Sequence, residues 1–167
     1  MRVIRSTTTL LDVVTLLVRL GLSAVWLVSG LLKISDPGQT YLAVQAYDVL
    51  PGSMVSPVAT ALPLVEIVLG LLLLVGLLTR LAGVAAVLLV LVLLAAITQA
   101  WVRGLTIDCG CFGGGGEVDQ GQTNYGWEIL RDLGFLVLAC WLALRPRSAV
   151  SVDGWIRAGG GETRTEP

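Results

Sequence analysis

Histidine is absent from this sequence, and charge is scarce: 14% of its 167 residues are Asp, Glu, Lys or Arg, against roughly 25% in an ordinary soluble domain. The missing histidine removes His-based catalytic triads and most zinc and haem sites. A net charge of −1 offers no basic field to nucleic acid. What the chain has in excess is apolar surface, with 55% hydrophobic residues and a mean hydropathy of +0.84. A soluble domain of about 150 residues buries only about 70% of the surface its chain exposes, too little to hide this much. A soluble enzyme, a disordered chain and a nucleic-acid binder are therefore excluded, and a lipid bilayer is the expected surrounding.

The apolar residues fall in four blocks, at about 10–34, 55–78, 81–102 and 125–144. Each reaches the roughly 20 residues that cross a hydrocarbon core of about 30 Å. Backbone in lipid must satisfy its own hydrogen bonds, so the blocks are helices. The expected fold is an all-α membrane protein, a four-transmembrane-helix bundle occupying residues 10–145. Residues 1–9 are read as a cytoplasmic N-terminus and 146–167, polar and glycine-rich, as a disordered cytoplasmic tail. The first block is too long for a cleaved signal, contains Arg19 and lacks a small-x-small site, so it reads as a retained anchor.

Thr79-Arg80 reads as the tight turn between the second and third spans. After the first span, Ser35-Asp36-Pro37-Gly38 turns the chain. Tyr41, Leu42, Val44, Val49 and Leu50 then give a short amphipathic pattern, read as an outer interfacial helix lying on the leaflet. Arg2, Arg5, Arg80, Arg145, Arg147, Arg157 and Arg164 all fall on one side of four spans. The positive-inside bias thus puts both termini in the cytoplasm of a bacterial-type plasma membrane, with the loops 35–54 and 103–124 outside.

Two of the three cysteines, Cys109 and Cys111, flank Gly110 in the second outer loop. Outside the membrane disulfides persist, and a Cys-x-Cys ring is small, strained and exposed, the kind that is labile and catalytic. A structural disulfide and a thiolate site for copper(I) are the other readings; with no histidine and no second cysteine pair, no metal is expected. Cys109 is favoured as the attacking or attacked sulfur. Cys140 lies about 22 Å along the fourth span from its outer end, out of reach of the pair, and reads as a small buried residue. With one dithiol and no second pair, redox cycling needs an outside partner, a membrane quinone or a thiol protein.

Charges inside the spans are costly and mark function or structure. Arg19, a third of the way along the first span, and Glu66, halfway along the second, lie at similar depths and are expected to form an ion pair locking two helices. Lys33 and Arg131 lie level with the dithiol, where they snorkel to the headgroups, lower a cysteine pKa or hold a quinone carbonyl; Trp101 and Trp127 are the aromatic candidates for the same cofactor site. Asp132 points about 100° away from Arg131 and is expected to have a different partner. Trp26, Trp101 and Trp127 fit an outer aromatic belt.

Several of these residues resemble a known family. Arg19-Leu20-Gly21-Leu22 through Trp26 and Ser29-Gly30-Leu31-Leu32-Lys33, the Leu62-Pro63-Leu64-Val65-Glu66 stretch, and Asp108-Cys109-Gly110-Cys111-Phe112-Gly113 followed by Arg131-Asp132 are similar to the MauE branch of the DoxX-like membrane proteins. The resemblance covers about residues 10–145. It implies a four-helix redox-associated membrane protein with Cys109 and Cys111 as the redox pair. Arg19, Lys33, Glu66 and Arg131 would be its polar framework, and a thioredoxin-like or extracytoplasmic client protein its partner. The expected function is exchange of electrons between that partner and a membrane quinone. The alternative is a non-enzymatic anchor or assembly subunit of a redox complex of the methylamine-utilisation type, braced by a structural disulfide.

Overall fold

The computed structural model describes residues 2–119, 121, 123–146 and 151–153, with side chains from residue 10 onward. Among them are helices α1 (Arg2–Ser35), α2 (Pro37–Ala46), α3 (Gly52–Val75), α4 (Thr79–Val102) and α5 (Tyr125–Leu144), and a ribbon of β1 (Ile107–Asp108) and β2 (Gly116–Glu117). Helix α1 lies along α3 and α4 along α5, while α1–α5 and α3–α4 contacts close the bundle. Three helical segments, Leu10–Ser35, Gly52–Val75 and Thr79–Val102, are long and apolar enough to cross a membrane. Helix α5 has the length, 20 residues, but carries Glu128, Arg131 and Asp132 in its first turns.

The sequence dictates this packing through small residues. A Cβ on Gly30 would sit 2.9 Å from the Pro63 carbonyl, and one on Gly70 would press into Leu27. The missing side chains let α1 and α3 approach, and the Ser23 hydroxyl donates to the Gly70 carbonyl at 2.8 Å. Leu22, Trp26, Leu69, Leu73, Ala86 and Leu142 form the buried core. Leu17, Leu64, Leu88 and Val137 point outward, the inside-out distribution that lipid permits.

The turn between α3 and α4 lies at Gly76–Leu78, not at Thr79-Arg80. Gly76 (φ 69°) and Leu78 (φ 52°) are left-handed, and the Gly76 N–H closes α3 on the Leu72 carbonyl. Glycine enters this conformation without steric cost, so the helix ends there and Thr79 opens α4.

Helix α2 packs on the protein through Thr40, Ala43 and the following Tyr47, which are buried, and leaves Leu42 53% exposed. Two further expectations change. α1 runs back to Arg2, through residues read as an N-terminal segment. Part of the segment read as a disordered tail is docked. The Asp153 carboxylate accepts from the Leu78 N–H at 3.0 Å and the Thr79 N–H at 2.9 Å, and its own N–H donates to the Gly76 carbonyl at 3.1 Å. Residues 147–150 and 154–167 lie outside the described residues.

Candidate functional site

β1 delivers Cys109 to the end of the bundle where α4 ends and α5 begins. It pairs antiparallel with β2, Ile107 opposite Glu117 and Asp108 opposite Gly116, so the Cys-Gly-Cys segment sits in a closed loop. Gly110 (φ 70°) and Gly115 (φ 92°) adopt left-handed backbone, and a Cβ on Gly115 would lie 2.7 Å from the Gly110 Cα and 2.8 Å from the Ala43 Cβ. The glycines are therefore a packing requirement, folding the loop onto itself and onto α2.

Three helices hold the dithiol backbone. From beyond α2, the Tyr47 hydroxyl donates to the Cys109 carbonyl at 3.1 Å. The Cys109 N–H donates to Glu128 Oε1 of α5 at 3.3 Å. From α1, the Ser29 hydroxyl and the Lys33 ammonium donate to the Cys111 carbonyl at 2.6 and 3.2 Å. Cys109 Sγ, Cys111 Sγ and a carboxylate oxygen of Asp132 all lie within 4.8 Å of one another, and both cysteines are thiols. The pair is less exposed than a loop position implies: Cys109 is 7% exposed, and Cys111 is partly covered.

The expected Arg19–Glu66 pair does not form. Glu66 instead pairs with Lys33, whose Nζ lies 2.8 and 3.0 Å from its two oxygens, and Ser29 bridges them at 2.6 Å from Nζ and 3.1 Å from Glu66 Oε2. The error came from equating the ends of the apolar blocks. Gly30 sits against Pro63 and Glu66, whereas the Arg19 guanidinium lies against Gly76, within electrostatic reach of Asp153. Eleven residues along α1, from Arg19 to Gly30, rise about 16 Å, which separates the two. Lys33 thus carries its charge to Glu66 and to a backbone carbonyl rather than to a thiol.

Arg131 is the cation at the sulfurs. Its Nη2 lies 3.9 Å from Cys109 Sγ, and its guanidinium carbon stands 5.2 Å over the Phe112 ring, a cation–π contact. Arg131 and Asp132 share each other, contrary to expectation. The long Arg131 side chain bends back along the helix, and its Nε donates to Asp132 Oδ1 at 3.0 Å.

These contacts make the thiols unequal. Hydrogen bonding from Cys111 lowers the Cys109 pKa below its ordinary value; burial opposes this, and a further hydrogen bond with Tyr47 adds to it. The Cys111 pKa is driven well above the ordinary value, first by its hydrogen bond to Cys109 and then by burial. Of the two thiols Cys109 is therefore the more readily ionised, with a neighbouring donor favouring its thiolate as in reactive dithiols.

The four residues expected to hold a cofactor have different surroundings. Lys33 lines a cavity of about 500 Å³ with Pro37, Tyr41, Ala59, Thr60 and Pro63. Arg131 stays at the sulfurs. Trp101 is 53% exposed and stacks on Tyr125 with ring centroids 6.2 Å apart; Trp127 is 62% exposed. Trp26, by contrast, leaves the expected belt for the core, at 4% exposure. Cys140 lies far along α5, apart from the dithiol. The two sulfurs and an Asp132 oxygen lie close together, and the cation that meets them is the Arg131 guanidinium, which contacts Cys109 and Asp132.

Sequence reasoning missed Ser29, Tyr47 and Glu128. Ser29 stands one turn before Lys33 on the same face, a spacing that the sequence does display. Nothing local marks Tyr47, which reaches the site only because α2 folds back over the loop.

A family model described as methylamine utilisation protein MauE matches residues 11–145. No curated protein and no solved structure matches the chain.

Proposed function

The chain belongs to the MauE family, and from that membership and the geometry above we propose that it is a membrane thiol–disulfide oxidoreductase that accepts electrons from an extracytoplasmic dithiol. The observation that carries the reading is the Arg131 guanidinium 3.9 Å from Cys109 Sγ, in a pair whose sulfurs lie within 4.8 Å. A stabilised thiolate makes the reduced form favourable and the disulfide a strong oxidant, and the lower-pKa sulfur is the better leaving group. The partner thiolate attacks Cys111, because Cys109, the sulfur of lower pKa, is the better leaving group, and Cys109 departs as the thiolate. A second partner thiolate then attacks its own sulfur in the mixed disulfide and releases Cys111. This assigns Cys109 the leaving role rather than that of the attacked sulfur.

The partner is a thioredoxin-like or client protein on the outer side. Electrons then pass to a membrane quinone, and the 500 Å³ cavity between α1, α2 and α3 is large enough for a ring of that kind. The fourth span is α5. Its first residue, Tyr125, donates through its hydroxyl to the Leu105 carbonyl beyond α4 at 2.6 Å, and Asp153, beyond its far end, caps the start of α4. Twenty residues rise about 30 Å, the thickness of the hydrocarbon core. Both termini are then cytoplasmic.

In cells, Cys109→Ser should accumulate a mixed disulfide between Cys111 and an extracytoplasmic protein, released by reductant. If neither single variant traps an adduct and the double Cys→Ser variant keeps full function, the redox reading fails. The chain is then an anchor or assembly subunit whose cysteines only brace the loop.

A further inference from the structure

Asp132 is not used by the contacts that hold the loop, yet its placement is unusual. It is 3% exposed, its Oδ1 accepts from Arg131, and its Oδ2 has no hydrogen-bond partner among the described residues. A buried orphan carboxyl oxygen carries an uncompensated desolvation cost, so its retention beside two sulfurs calls for a role. Behind it lies a chamber of about 20 Å³ lined by Trp26, Ser29, Glu66, Cys111, Phe112 and Asp132. That is about the volume one water needs. The Trp26 indole N–H, buried and without a partner among the described residues, supplies a donor to it.

We propose that Asp132 is the proton-exchanging group of the dithiol, giving a proton to Cys111 when the pair is reduced and recovering it when the pair is oxidised, with one water in the chamber joining its carboxyl to Trp26 and Glu66. The proposal rests on the redox reading above. The partner dithiol enters as two thiolates, its protons having gone to bulk water. The first forms a bond to Cys111 Sγ, the Cys109–Cys111 bond breaks, and Cys109 leaves as a thiolate beside Arg131. The second thiolate forms the partner disulfide and breaks the mixed disulfide, and Cys111 leaves taking the Asp132 proton. Two electrons have moved from partner to protein, and Asp132 is left as a carboxylate paired with Arg131. Oxidation of the pair by a two-electron quinone acceptor, which draws its protons from water, sends the Cys111 proton back to Asp132.

Geometry makes Cys111 the proton's destination. Cys109 has Arg131 beside its sulfur to sustain a thiolate, whereas Cys111 shares the chamber with Asp132. The charged and titratable groups around Asp132 are Arg131 and Glu128 on its own helix, Cys109 and Cys111 on the loop, Glu66 on α3 and Lys33 on α1. Glu66 and Lys33 are occupied with each other, and α4 offers only Val90 and Leu93.

The test uses the full chain in lipid nanodiscs, with the pair first oxidised and then reduced by dithiothreitol between pH 5.5 and 9, followed by alkylation and mass measurement. Asp132→Asn keeps shape and polarity but cannot exchange the proton. It is expected to slow reduction about 100-fold near pH 6, the scale of a lost general acid, with the wild-type to variant ratio falling towards one at high pH. Asp132→Glu is expected to stay within about tenfold of wild type and to keep a ratio to Asp132→Asn that falls with pH. This second variant carries the test if Asp132→Asn does not assemble. It then shows a pH profile parallel to wild type, and a profile that has lost its low-pH advantage overturns the proposal. A ratio for Asp132→Asn that is constant across pH makes Asp132 a structural brace and overturns it, as does a ratio of one throughout. A wild-type pair that neither reduces nor re-oxidises reversibly sinks the redox reading itself, a different result from a cycling pair indifferent to Asp132.

Discussion

At the scale of single residues, the site is a division of labour between two cations. Arg131 serves a sulfur, and Lys33 serves a carboxylate and a backbone carbonyl. Replacing Arg131 with Gln should move the pH curve of Cys109 alkylation by iodoacetamide upward by about one unit and slow the reaction about tenfold at pH 7. The sign follows from the thiolate being the reactive form: it is populated above the thiol's pKa and lost as pH falls, so removing a cation moves the useful window to higher pH. Cys111, held above its ordinary value, should be alkylated only after Cys109 in both proteins; equal rates at pH 7 would contradict the assignment. Lys33 calls for a different measurement. Lys33→Met strands the buried Glu66 charge, which should cost roughly 3–5 kcal/mol and appear as a large drop in the detergent unfolding midpoint. Lys33→Met with Glu66→Leu should recover most of the loss, because an apolar pair replaces the buried ion pair without a stranded charge.

At the scale of elements, glycines set where helices and loops touch. Gly115→Ala places a side chain on left-handed backbone against Gly110 and Ala43. The expected cost is about 1–3 kcal/mol, with the loop loosened from α2. Limited proteolysis of the loop between α4 and α5 should then speed up while cleavage elsewhere stays unchanged. Asp153→Ala removes a carboxylate that accepts from two free N–H groups at the start of α4. Loss of such a cap costs about 1 kcal/mol, measurable as a shift of the unfolding midpoint with no change in Cys109 reactivity. The contrast between these variants separates loop geometry from bundle stability.

At the scale of the molecule, the question is whether α5 crosses the membrane. In a background with Cys109, Cys111 and Cys140 replaced by Ser, Arg80→Cys and Asp119→Cys should label from opposite sides with an impermeant maleimide. A reporter fused after residue 167 should face the same side as Arg80; the opposite result would leave three crossings and move the C-terminus outside. By composition and period alone the sequence determined the membrane setting, four long helices of which three are apolar enough to cross a membrane, the short α2 after Asp36-Pro37 and the nearness of Cys109 to Cys111, because these depend on residue type and short spacing. Apolar block edges, however, do not define helix level. Small residues such as Gly30 and Gly70 set the register between α1 and α3, and that register gave Glu66 to Lys33 and left Arg19 near Asp153. Likewise the approach of Tyr47, Glu128 and Asp132 to the dithiol depends on a glycine loop folding between three helices. Only tertiary structure decided that, because contacts between residues some 20 to 80 positions apart are fixed by packing and leave no local period to read.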